Sequence, residues 1–99
     1  MIKHIILWDL RDDMTAEEKA AKALEIKQGL EGLKGVIEGL EDISVRIDLL
    51  DSSNADIMLD STFADKAALA AYQTHPSHLA VAAVVKSAAA HRSCADFEV

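Results

Sequence analysis

Between Tyr72 and His78 the chain reads Tyr-Gln-Thr-His-Pro-Ser-His, gathering a phenol and two imidazoles around the single proline of an otherwise alanine-rich region. A proline suits the first position of a helix, which places His78 in the first turn after Pro76. There the positive end of the helix dipole disfavours a second proton on the imidazole. A neutral histidine is a competent general base near pH 7, and Tyr72, on the last turn of the preceding helix, can orient a carbonyl or an enol beside it. Acid/base chemistry without a cofactor is therefore open to His78 and Tyr72 as a catalytic pair. The same segment also reads as architecture, because a His-Pro-x-His turn can cap and join two helices, with His75 and His78 bonding free backbone groups. His4 alternates with Ile6 and Trp8, so His4, Trp8 and His75 are the candidates for ligand contact around that pair. For His4 the plainer alternative is a buried imidazole satisfied by a backbone carbonyl.

Other reactive side chains offer less. His75 and His78 are three apart, but a proline between them and no nearby carboxylate make a poor zinc signature, so no metal is expected. Asp9, Asp12 and Asp13 lack the glycine and spaced acidic ligands of a calcium loop and read as a solvated turn. Cys94, with no base beside it in sequence, reads as a buried, unreactive thiol. His91 is expected near a helix C-terminus, solvated and weakly stabilising. No glycine-rich phosphate loop is present, and no cofactor is expected.

Ninety-nine residues make one domain spanning positions 1–99, and a hydrophobic content of 51% is ample for one core. The net charge of −7 repels phosphate backbones and anionic headgroups, which argues against nucleic-acid and membrane partners. One cysteine permits no internal disulfide, and no apolar run approaches the ~20 residues needed to span a bilayer. A reducing, cytoplasmic setting is expected, with the mature protein beginning at Met1.

These side chains need elements to hold them. His4 to Leu10 is apolar on both alternating sets and rich in β-branched and aromatic types, which predicts a strand covered on both sides. Thr15 three residues before Glu18 is a capping box, opening a helix whose inward positions are Ala20, Ala23, Leu24, Leu30 and Leu33 and which ends between Gly32 and Gly35. Ile43 to Leu49 alternates cleanly, the polar cluster Asp51 to Asn54 turns the chain, and Ala55 to Phe63 returns as a second strand. Ala64 to Gln73 and Pro76 to His91 are helical, meeting at Pro76, and Ser93 to Val99 closes the chain as a strand. The order β, α, β, β, α (broken), β is that of an α+β, ferredoxin-like antiparallel sheet with helices on one face. Ile5 and Leu7 then face away from the helices. An apolar sheet face on a small domain marks an interface, most simply a two-fold dimer, with cover by the chain's own tail as the alternative.

Several segments resemble one family. Met1 to Trp8 looks like the opening strand of the stress-responsive dimeric α/β-barrel (Dabb) family, Asp60-Ser61-Thr62-Phe63 resembles its third-strand ending, and Arg92 to Glu98 resembles its closing strand. The segment Tyr72 to His78 is similar to its Tyr-x-x-His-Pro-x-His motif and is the most specific part of the likeness. The resemblance implies a ferredoxin-like protomer that pairs sheet to sheet with a second copy as a dimeric barrel, leaving a small apolar pocket between sheet and helices for an aromatic or apolar molecule. It also brings a plant polyketide cyclase that closes its substrate by aldol condensation, whose tyrosine and second histidine fall on Tyr72 and His78. Monooxygenase-like chemistry in a similar pocket, and a structural stress-response oligomer, are further readings the resemblance allows. Glu38 before Gly39 departs from the proline common in the family and bears on the rigidity of that loop.

Overall fold

Burial along the first strand alternates without a break. In the computed structural model, which describes residues 1–99, Ile2, His4, Ile6, Trp8 and Leu10 are buried while Lys3, Ile5, Leu7 and Asp9 are half-buried. This strand, β1 (Ile2–Leu10), is central to a four-stranded sheet with β2 (Leu40–Arg46), β3 (Ile57–Phe63) and β4 (Ala89–Glu98), in the order β2-β3-β1-β4. Every neighbouring pair is antiparallel. Helices α1 (Ala16–Glu31), α2 (Lys66–Thr74) and α3 (Pro76–Ala88) supply Ala23, Ile26, Leu30, Tyr72, Val85 and Ala88 to the core on the side of Ile6 and Trp8. The architecture is the expected ferredoxin-like one, with the second helix broken at Pro76.

Local chemistry explains most boundaries. Thr15 Oγ1 accepts from the Glu18 N–H at 3.1 Å and Glu18 returns the bond to the Thr15 N–H at 2.9 Å, closing the capping box that starts α1. Its inward stripe is Ala23, Ile26 and Leu30, spaced three and four apart, whereas Leu24, expected to face inward, is 47% exposed. Helix α1 stops at Glu31 with Gly32 as its cap.

The end of α1 is tied to the sheet edge. Glu31 Oε2 accepts from the Val45 N–H at 3.0 Å and from Lys27 Nζ at 2.9 Å, while Lys27 also donates to the Val45 carbonyl at 2.6 Å. The pair thus occupies backbone groups that β2, as an edge strand, would otherwise leave open. The Lys27 ammonium first, and the Val45 amide second, hold the Glu31 carboxyl below its ordinary value. A depressed folded-state pKa contributes stability above the unfolded value of 4.5 that disappears as pH falls through the folded one. Glu31→Gln should therefore be less stable than the parent at pH 7, and the difference should shrink in thermal melts taken at progressively lower pH below about 4.5.

Several boundaries differ from the sequence reading. Strand β2 begins at Leu40 and leaves the ladder after Arg46, so the alternation of Ile47 and Leu49 continues into a half-buried loop rather than a paired strand. That loop is anchored where Asp56 donates its N–H to the Trp8 carbonyl at 2.9 Å and accepts from the Leu10 N–H at 2.8 Å. Helix α3 ends at Ala88, not His91, because no stop signal sits in the alanine run and pairing of Ala89 with Leu10 takes over there. His91 consequently lies on β4 opposite Asp9. Cys94, expected to be buried, is exposed, since β4 is the outer strand and its helix-facing side is left uncovered beyond Ala89.

On the opposite sheet face Ile5 lies between Asp60 and Ala95, and Leu7 between Met58 and Ser93. Lys3 Nζ stands 2.5 Å from Asp60 and donates to Thr62 Oγ1 at 3.1 Å, placing one ion pair beside an apolar centre.

Candidate functional site

A cavity of about 440 Å³ opens between the sheet and the helices. Its floor is apolar, formed by Ile6, Leu59 and Leu30, and its rim is polar, formed by His4, Tyr72, Gln73, His78, Arg92 and Cys94. The wall is thus more polar than an apolar pocket, because the helix-facing side of β4 contributes Arg92 and Cys94, and β1 contributes His4, beside the aliphatic Ile6 and Leu59.

Tyr72 is fixed by packing. Its ring centroid lies 4.8 Å from that of Phe63 at 61° and 4.2 Å from that of His78 at 38°. Only 1% of the residue is exposed, and its hydroxyl has no hydrogen-bond partner in the protein. A buried hydroxyl left unpaired costs roughly 1–3 kcal/mol, so something that satisfies it binds with that much to gain. Burial pushes the phenol up to about 12, which keeps it a neutral donor across the physiological range.

His78 sits half-buried on the first turn of α3, with Nδ1 3.3 Å from the Gln73 carbonyl. A carbonyl only accepts, so Nδ1 carries the proton and the Nε2 lone pair is left for a ligand. The imidazole is held below its usual value, chiefly by burial and against the opposing effect of the Gln73 bond. Nearby His4, Arg92 and His75 push in the same direction as burial. His78 is accordingly neutral at pH 7, and desolvation is the leading cause.

His4 is 2% exposed and joins the wall from β1. Its Nδ1 is held by the Asp96 carboxylate across the β1–β4 pair, its carbonyl accepts from Ser61 Oγ at 2.9 Å, and its ring stands edge-on to Tyr72 at 6.3 Å. A carboxylate, not a backbone carbonyl, satisfies this imidazole. His4, Tyr72 and His78 therefore converge on one cavity.

Trp8 and His75 do not join them. Trp8 lies on the same strand face as His4, but borders a separate hollow of about 180 Å³ with Asp9, Asn54 and His91. His75 is spent on the helix junction, where its N–H donates to the Tyr72 carbonyl at 3.1 Å and its Nδ1 accepts from the Ser77 N–H at 3.1 Å. Gln73, Arg92, Cys94 and Asp96 were missed by sequence reasoning. The signal for the last three is the alternation of β4, which places them on the helix side once β1 pairs Trp8 with Arg92, Ile6 with Cys94 and His4 with Asp96.

No helix is long and apolar enough to cross a membrane. No curated protein matches the chain significantly. Among solved structures, a dimeric protein of unknown function with a ferredoxin-like fold from Bacteroides fragilis is 32% identical, with a TM-score of 0.93 over 99% of this chain and 95% of that one. A dimeric ferredoxin-like protein of unknown function from Thermobifida fusca is 26% identical, with a TM-score of 0.81 over 99% and 90% of the two chains. A hydroxynitrile lyase from Passiflora edulis shares the fold at 13% identity, with a TM-score of 0.75 over 99% and 92%. The family model for the stress responsive A/B barrel domain matches residues 2–99, so the chain belongs to that family.

Proposed function

We propose that this domain works as a homodimer whose protomers each bind a small aromatic or apolar molecule carrying one polar group, in the cavity between sheet and helices. The observation that carries this reading is the hydroxyl of Tyr72, a buried residue on the wall of that cavity, which has no hydrogen-bond partner in the protein. A volume of about 440 Å³ falls in the range that small-molecule sites occupy. An apolar floor with a few convergent polar groups is what orients such a ligand. The dimer is supported by the apolar character of the Ile5 and Leu7 face and by the dimeric state of the Bacteroides and Thermobifida relatives.

Binding of 4-hydroxyacetophenone, followed through NMR shifts of the His78 and Cys94 amides, tests the reading. Tyr72→Phe should weaken binding roughly three- to tenfold, the worth of one hydrogen bond, with folding unchanged. His78→Ala should weaken it as well. If Tyr72→Phe instead leaves the shifts intact and only alters the melting temperature, the tyrosine is there to pack and the domain is a structural oligomer.

Enzymatic use of the same pocket is the second reading. It is favoured by the neutral His78, with Nε2 unprotonated, packed at a tilt against a phenol that remains protonated. In that role His78 takes a proton from carbon or oxygen of the bound molecule while Tyr72 donates to the developing oxyanion, as in a cyclase, a lyase or a cofactor-independent monooxygenase. Because the His78 value is depressed, the rise of kcat/KM with pH should be centred below the ordinary histidine value of 6.5 and level off above it, up to the titration of Tyr72. A rise centred above 6.5 would exclude His78 as the base.

A further inference from the structure

His4, Cys94 and Asp96 are separated by up to 92 residues in the chain yet meet across the β1–β4 pair, where His4 and Cys94 line the cavity and Asp96 holds His4 from beside it. His4 is the direct register partner of Asp96, and Cys94, two residues earlier on β4, points to the same side opposite Ile6. One imidazole nitrogen, one sulfur and one carboxylate oxygen all lie within 4.8 Å of one another. We propose that these three side chains form a site for a divalent transition-metal ion of the zinc type, with its fourth position open to the cavity.

The geometry is close to what such an ion needs. Zinc bonds of about 2.0–2.3 Å to nitrogen, oxygen and sulfur in a tetrahedron set neighbouring ligand atoms roughly 3.3–3.7 Å apart. Cys94 Sγ stands 3.6 Å from Asp96 Oδ1 and 3.9 Å from His4 Nδ1, so two edges of that triangle are nearly in place. The third edge is the hydrogen-bonded contact between His4 and Asp96, which must open by about 1 Å as the ion replaces the bridging proton. The side chains able to move, Cys94 and Asp96, are the exposed ones, while the buried His4 gives a fixed point.

Chemistry selects the class of ion. A mixed nitrogen, sulfur and oxygen set favours borderline zinc or cobalt(II) over magnesium or calcium, which require oxygen donors. A thiolate and a carboxylate together neutralise a dication, so the loaded centre carries no net positive charge beside the cationic Arg92 on the same side of β4. Binding transfers the Cys94 thiol proton to solvent, while the proton displaced from between His4 Nδ1 and Asp96 moves to His4 Nε2, so the imidazole stays neutral and one released proton is part of the equilibrium.

A second feature points to a ligand at this place. The Tyr72 hydroxyl, buried and unpartnered, lines the same cavity as His4 and Cys94 and can donate to a water or an anion on the fourth position. Pairing of protomers through the Ile5 and Leu7 face leaves this side of β4 open, because Cys94 faces the helices.

The full chain, stripped with chelator, is titrated with Co²⁺ alone and then with Zn²⁺. The expected result is a thiolate-to-cobalt charge-transfer band that saturates at one ion per chain, is displaced by Zn²⁺, and disappears in Cys94→Ser. Asp96→Asn should weaken zinc at least tenfold, and His91→Ala, away from the cluster on β4, should leave affinity unchanged. Absence of the charge-transfer band at saturating cobalt, or equal zinc affinity in the parent, Cys94→Ser and Asp96→Asn, overturns the proposal. Since the readout is the metal itself, either result is independent of the response to 4-hydroxyacetophenone.

Discussion

Replacing Ile5 and Leu7 together by glutamate is expected to turn the protein from a dimer into a folded monomer at micromolar concentration, as read by sedimentation. Both side chains are half-buried on the sheet face away from the helices, in register with Met58 and Ala95. Phe97, on the same face of the outer strand, is 48% exposed. In a two-fold dimer each substitution is counted twice, so four carboxylates would enter the interface. Removing an unpaired charge from water costs several kcal/mol even after relaxation, and a micromolar dimer is held by only about 8 kcal/mol. The chain already carries a charge of −7, so the added charges repel across the interface as well. The helix-facing set Ile2, Ile6, Trp8 and Leu10 is untouched, and the circular dichroism spectrum should stay native. A double variant that still sediments as a dimer would show that some other surface joins the protomers.

How much of this was legible depended on how local the signal was. The Thr15 and Glu18 box, the break at Pro76 and the doubly apolar run of β1 are written in adjacent residues, and each gives the element expected of it. The α3–β4 boundary was not legible, because Ala88, Ala89 and Ala90 favour helix and carry no stop, and only pairing with Leu10 across the sheet decides it. The same holds for the site. Tyr72 and His78 are near neighbours in sequence and were read together, whereas the contact of His4 with Asp96 exists only once the β1–β4 register is known. Trp8 shares a strand face with His4, yet alternation fixes only which side a residue faces. It does not say how far along the strand the cavity extends, and Trp8 falls beyond its end.

Gly39 separates two costs that usually occur together. Its φ is +86, in the left-handed region, and a Cβ placed on it would stand 2.5 Å from the Ala68 Cβ on α2. Its carbonyl also accepts from the Ala64 N–H at 2.9 Å, so the loop before β2 cannot back away without losing a bond near the start of that helix. Gly35 has nearly the same φ, +83, but nothing within 4 Å of its would-be Cβ. Gly35→Ala therefore measures the backbone penalty alone, roughly 1–2 kcal/mol. Gly39→Ala adds overpacking against α2 and should cost about 2–5 kcal/mol in all. At roughly 4–8 °C per kcal/mol for a chain of this size, the melting temperature should fall by at least about 8 °C, and by several degrees more than in Gly35→Ala. The clash has a specific partner, so Ala68→Gly in the Gly39→Ala background should recover part of the loss, although glycine inside α2 is unfavourable by itself. Equal melting temperatures for Gly35→Ala and Gly39→Ala would mean that α2 yields freely to the extra methyl, and that packing of this loop does not set the position of Tyr72 at the far end of the helix.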